Sequence, residues 1–413
     1  MLHASNVSGR LLALLTAMNA IAFYNISGTG PFVSPGLSFP VLAIALFPWG
    51  AKHRQKMNWL DLSVLSFVLC CVLSFVLFLL PGNAVSIEAY LLGINVTIAP
   101  IALYFFARLL PEEGRTVFIN RLVVLHIAVA VISLVLHIAR PDFYTSAIAS
   151  SLSSEEQLEA WQVYARLQGA LGSTVMGSIC AISILMLIPA GFGGLKKFVF
   201  ALIFAIVALL SFQRSAILAV FLASVALWAS VVNWKSAFTG IIALIALSMP
   251  LFFVMQIENA EFSRLVDRVV EAWQTLSFAD RPTYQLIGRH LADYPFGMGL
   301  GATTSAADSA GLNPGGQMVD ANHMRLLADL GPLGLAIFLL TVLLALCRSA
   351  GRRSTLWLGG VVFVLNLQAL VTNLLDSFYI SHLYWMALGM LSQAPKKLDS
   401  RRFVMESRFR TRA

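Results

Sequence analysis

Apolar runs of close to twenty residues recur along the whole chain, separated by short polar breaks that hold most of its charge. A helix crosses the hydrocarbon core of a bilayer in about 20 residues, so runs of this length read as spans. They fall at about 11–26, 30–49, 62–81, 87–109, 122–139 and 173–190, then at about 198–212, 215–232, 236–256, 323–347, 354–372 and 379–394. The pattern predicts an all-α polytopic membrane protein of about 12 transmembrane helices. The seventh and eighth spans are short and joined by the turn SFQRS, a helical hairpin with Arg214 at its tip.

The chain thus divides into N-terminal spans (1–197) with a loop at 140–172, central spans (198–256), a structured loop (257–322), C-terminal spans (323–395) and a basic tail (396–413). Within the large loop, Phe262, Leu265, Val266, Val269, Val270 and Trp273 recur at helical spacing. They predict an amphipathic helix lying on the bilayer surface. Asp280 is placed to cap a second helix, which Pro295 and the following glycines stop near Tyr294. The stretch 311–322 reads as a loop feeding the tenth span.

Composition agrees with the spans. Of the 413 residues 58% are hydrophobic and 12% charged, with a mean hydropathy of +0.80. Soluble domains carry about 25% charged residues, so a soluble enzyme and a disordered chain are both excluded. The net charge of +8 invites a nucleic-acid reading, which the placement of the charges refutes. With the N-terminus inside, 20 of the 28 basic residues lie inside and 15 of the 20 acidic ones outside. The basic balance is therefore a topology signal, and nucleic acid is not an expected partner. No cleavage site follows residues 11–24, so they read as the first span rather than a signal peptide. Cys70, Cys71, Cys180 and Cys347 all lie in apolar runs and read as small buried hydrophobes.

All eight outer basic residues are arginines, whose planar fork grips phosphate bidentately, which suggests an anionic lipid-linked substrate. Arg214 interrupts a long uncharged stretch. Either it snorkels from the hairpin tip or it binds a phosphate group. Arg281 stands in the first turn of the second loop helix, where an anion would feel both guanidinium and helix dipole; the alternative is a surface pair with a nearby acid. Arg289, further along that helix, reads as more solvated, and Arg264 and Arg268 as a salt-bridged face with Asp267 and Glu271. His323 opens the tenth span beside Asn322 and Arg325, where it is either a general base or a polar residue seeking the interface. Arg325 and Asp329, at i and i+4, are expected to pair, unless Asp329 faces a cavity. His126 and His137 read as packing histidines. The glycines of 297–301 read as a tight turn that presents backbone amides to the site. The sequence has no recognisable metal or nucleotide motif, and no cofactor is expected.

Several segments resemble the O-antigen ligase and polymerase superfamily, membrane glycosyltransferases of the bacterial envelope. The turn SFQRS is similar to that family's Ser-Arg turn between two central spans. ADRPTYQLIGRHLADYPFGMGLG resembles its periplasmic Arg, short helix and Pro-x-Gly-x-Gly-x-Gly run. NHMRLLADLGPLG resembles its His-Asn-x-x-Leu-x6-Gly signature, with His323, Leu327 and Gly334 in register. DSFYISHLYWMALGML resembles its closing helices. The likeness covers about 198–394; the signature's Asn position holds Met324, with Asn322 on the other side of the histidine. The resemblance implies a GT-C-like, metal-independent, inverting transfer of glycan from undecaprenyl diphosphate on the periplasmic face of the bacterial inner membrane. The acceptor would be a growing glycan (polymerase) or lipid A-core (ligase), with a chain-length regulator as a possible partner. Arg214 and Arg281 would clamp the diphosphate, with Arg289, Asn322 and Arg325 binding substrate and His323 serving the acceptor hydroxyl. A lipid-glycan flippase or transporter is the other class considered.

Overall fold

The computed structural model describes residues 2–27, 56–79, 86–110, 112–151, 167–169, 171–211, 213–231, 288, 291–304, 307, 311–312, 319, 321–350 and 353–393. All regular structure among them is helical, and five helices are long and apolar enough to cross a membrane. The protein is a helical membrane protein. We number the described helices α1 (Leu2–Ser27), α2 (Trp59–Leu73), α3 (Ile87–Gly93), α4 (Ala102–Arg108), α5 (Glu112–Ala139), α6 (Asp142–Ser151), α7 (Ser173–Met186), α8 (Gly194–Leu210), α9 (Arg214–Val231), α10 (Asn322–Ala350), α11 (Leu356–Ala369) and α12 (Phe378–Ser392). The expected spans at 30–49 and 236–256, the surface helix of 262–273, Asp280 and the tail lie outside the described residues; the remaining spans fall on helical residues, those at 87–109 and 323–347 interrupted by breaks. Residues 291–293 are helical and the helix ends ahead of Pro295.

Apolar stripes at helical spacing face outward. On α5 they are Val117, Val124, Val131, Val135 and Ile138; on α8 they are Leu195, Phe198, Leu202, Ile206 and Leu209. Patches this continuous on a soluble surface would drive association, and lipid is the solvent that suits them. Helices apolar all round belong inside. So it is with α12, buried at every position from Tyr379 to Ser392, and with α7, buried at nearly every position. α12 packs on α4, α11 and α7. A Cβ added at Gly389 would lie 2.1 Å from the Tyr104 carbonyl oxygen, so only glycine lets α12 approach α4 this closely. Cys71 and Cys180 are buried as expected, whereas Cys347 is exposed on the outer side of α10.

Basic residues gather several helix ends at one face. Asp61, at the start of α2, pairs with Arg108 at 2.9 Å and accepts a hydrogen bond from Tyr104 at 2.6 Å. Arg348 donates to the carbonyls of Leu391, Ser392 and Gln393, which terminate α12. A guanidinium there satisfies orphan carbonyls and complements the helix dipole. Gln393 in turn bonds Arg115 and the last carbonyls of α4. The starts of α2 and α5 and the ends of α4, α10 and α12 therefore share this basic face. α5 and α11 run from it to the opposite face, where Tyr144 of α6 accepts from the Gly169 amide and Gln213 donates to Ser173.

Two helices are broken. Between α3 and α4 a π-helical turn (Ile94–Ile98) passes into a 3-10 turn holding Pro100, whose missing N–H disrupts regular α bonding. The second break is in α10, where Gly331 has φ 68° and ψ −175° and Pro332 follows. Fifteen positions along a straight helix span about 22 Å. The rings of His323 and Phe338 nevertheless lie edge to face, with centroids 5.8 Å apart. α10 is thus a hairpin: a short arm, 322–330, folded back beside a long arm, 332–350. The tenth span expected at 323–347 is not one straight helix; its membrane-long stretch is the arm after Pro332.

Candidate functional site

The short arm of α10 owes its geometry to the glycine run. Pro332 has no N–H, so the carbonyl of Ala328 loses its usual partner four residues on. The Met298 amide takes that place at 2.8 Å, and the Gly299 amide bonds the Asp329 carbonyl at 2.9 Å. Two further loop amides, of Gly301 and Thr303, donate to the Asp329 carboxylate at 3.2 and 3.0 Å, and the Thr303 hydroxyl does so at 2.8 Å. The run 297–301 is expected to offer amides to a ligand; its amides of Met298, Gly299 and Gly301, with that of Thr303, instead cap and hold the short arm.

Around that arm sits a buried charge cluster. Arg325, 1% exposed, meets Asp329 at 3.4 Å and Asp376 at 3.0 Å, and donates to Thr97 of the π-helical turn at 3.2 Å. The Arg325–Asp329 pair is the one the spacing suggested. The guanidinium of Arg325, a residue expected to bind substrate, lies against two protein carboxylates and a threonine. Asn373 donates to Asp376 at 2.6 Å, joining the far end of α11 to the cluster.

Asn322 and His323 sit beside this cluster. The Asn322 amide N–H donates to the Thr372 carbonyl at 3.3 Å, fixing the start of the short arm against the end of α11. Its side chain is fully buried, and neither amide atom has a hydrogen-bond partner among the described residues. His323 is 5% exposed, leaning on Asn366 and the Ala369 backbone, with Nδ1 unpartnered. Its expected place was the water-exposed edge of a span; the hairpin carries it inward to the ring of Phe338. Asn366 donates to the Tyr384 hydroxyl at 3.2 Å, so α12 supports the group on which His323 leans.

α11 and α12 have 14 and 15 residues and start or end at the basic face. At 1.5 Å per residue they are about 21–22 Å long, short of a hydrocarbon core of about 30 Å. The polar corner lies at their far ends, away from the basic face.

Arg214 is exposed at the start of α9, at the hairpin tip on that same opposite face. Arg281 and Arg289 lie outside the described residues, as do Arg264 and Arg268. Both ring nitrogens of His126 are occupied, Nδ1 by Ser183 at 2.6 Å and Nε2 by Tyr379 at 3.0 Å, as a packing histidine requires. Sequence reasoning missed Asp376, Thr97 and Asn366. Asp376 carried a usable signal, a lone carboxylate between two apolar spans; Thr97 and Asn366 carried none. No group of three or more His, Cys, Asp or Glu side chains among the described residues is placed to hold a metal ion. No protein-family model matches the chain, and no curated protein matches it.

Proposed function

We propose that this protein is a glycosyltransferase of the bacterial inner membrane, working at the periplasmic face with the basic face turned to the cytoplasm. It moves glycan from undecaprenyl diphosphate to a sugar hydroxyl, and we read it as a polymerase of polysaccharide repeat units. One observation carries this reading. The two segments that resemble the superfamily's motifs put an exposed arginine, Arg214, and a buried, incompletely bonded Asn322–His323 pair on the same side of the bundle.

In this reading the guanidinium of Arg214, with Arg281, neutralises the diphosphate as it departs. The acceptor hydroxyl oxygen bonds to the anomeric carbon, the bond from that carbon to the diphosphate oxygen breaks, and the hydroxyl proton passes to His323. Attack opposite the leaving group inverts the anomeric centre. Arg325 acts through the short arm, as a positioning residue.

Purified protein in nanodiscs with an undecaprenyl-diphosphate oligosaccharide tests the proposal. Lengthened glycan with release of undecaprenyl diphosphate supports a polymerase, and transfer only when lipid A-core is supplied supports the ligase reading. The broken helices at 94–101 and 331 would otherwise favour a transporter. Movement of the lipid-linked glycan across the bilayer with no diphosphate released would establish that class and overturn the transferase.

A further inference from the structure

On the basic face, away from the site above, a groove of about 390 Å³ opens on the lipid side of the bundle. Leu12 and Thr16 of α1 form one wall; Asn120, Arg121, Val124 and Leu125 of α5 form the floor; Phe192, in the turn before α8, closes the end. The turn is held in place, since Asn120 accepts a hydrogen bond from the Gly191 amide at 2.9 Å and the Phe192 ring packs edge-on to Phe200 at 5.3 Å.

The groove has two chemistries along one axis. Val124, Leu125, Leu12 and Phe192 are apolar, and Val124 is 52% exposed where only acyl chains can cover it. Arg121 is exposed six residues along α5 from Arg115, about 9 Å deeper into the membrane. A long side chain at that depth lies along apolar surface and carries its charge to the headgroups. Arg10 on α1 and Lys196 and Lys197 on α8 belong to the same end of the bundle. On α1, α5 and α8 the only acids are Glu112 and Glu113, more than two helical turns before Arg121.

We propose that this groove binds an anionic phospholipid of the adjoining leaflet, its phosphate on Arg121 and an acyl chain along Val124, Leu125 and Phe192. The volume is in the range of small-ligand sites, about 300–1,000 Å³. A zwitterionic lipid would fill the apolar wall equally well, so the preference for negative charge is what marks the site. The occupant is a bilayer lipid and not the donor, whose proposed site is on the opposite face.

Native mass spectrometry and thermal unfolding of the full-length, delipidated protein test this with phosphatidylglycerol, phosphatidylcholine and glycerol phosphate. Phosphatidylglycerol is expected to bind and to raise the Tm, phosphatidylcholine to bind about five-fold more weakly with a smaller Tm gain, and glycerol phosphate to do neither at the same concentration. Arg121→Gln should weaken phosphatidylglycerol binding about five-fold, the loss of one basic residue at an anionic lipid surface. Val124→Trp should block the groove and remove the Tm gain even where Arg121 is intact. Arg140→Gln, an exposed arginine at the far end of α5, should change neither. Equal response to phosphatidylcholine, a gain from glycerol phosphate alone, or undiminished binding by both the Arg121 and Val124 variants would each overturn the proposal.

Discussion

Arg325 faces two carboxylates in a place with no bulk water, and its guanidinium lies against both Asp329 and Asp376. Removing one partner of a buried pair costs about 3–5 kcal/mol because the other charge is stranded. Arg325→Gln strands two and should lower the Tm in detergent more than Asp376→Asn, after which Asp329 still balances the guanidinium. The reverse order would mean that the cluster is organised around Asp376. At the proposed site, Arg214→Lys keeps the charge but loses the fork, so glycan transfer should fall about tenfold or more with normal insertion. His323→Ala should cut turnover while donor binding persists. Transfer should survive EDTA, since guanidinium groups neutralise the diphosphate; activity restored only by added magnesium would refute that.

At the scale of elements, the hydropathy of the chain is enough to locate helices, because each span is a local average over some twenty side chains. The fold-back of α10 is invisible to such an average. It depends on one dihedral at Gly331 and on carbonyls of Ala328 and Asp329 being capped by amides from a loop some thirty residues earlier. For the same reason the burial of His323 was not legible in the sequence. Span logic puts a histidine at position 323 on the water side, and only the hairpin brings it to Phe338. The glycine run shows how a motif can be read correctly as a turn and wrongly as a ligand cradle. A Cβ at Gly301 would lie 2.0 Å from the Ala89 carbonyl oxygen, and one at Gly297 2.6 Å from the Asp329 carbonyl oxygen. Gly301→Ala should therefore undock the loop from α3 and leave the Asp329 carboxylate short of donors. Amide exchange at Gly301 and Thr303 should quicken while α7 and α12 keep their protection; unchanged exchange would show that the loop holds by other contacts.

At the scale of the whole molecule, the arrangement of charge predicts sidedness. Reporter fusions at Asn120 and Gly311 should fall in the cytoplasm and the periplasm respectively, and the same side for both would break the alternation on which the basic face rests. The deepest consequence concerns biogenesis. α12, enclosed by α4, α7 and α11, follows each of them in the chain and is closed off by Arg348, Arg115 and Gln393. As translation proceeds, the earlier helices must wait in the bilayer with their inward faces against lipid or an insertion chaperone until the keystone helix arrives. Assembly is therefore gated by a late event, and a ribosome that stops ahead of Phe378 leaves an open ring of helices for the membrane proteases.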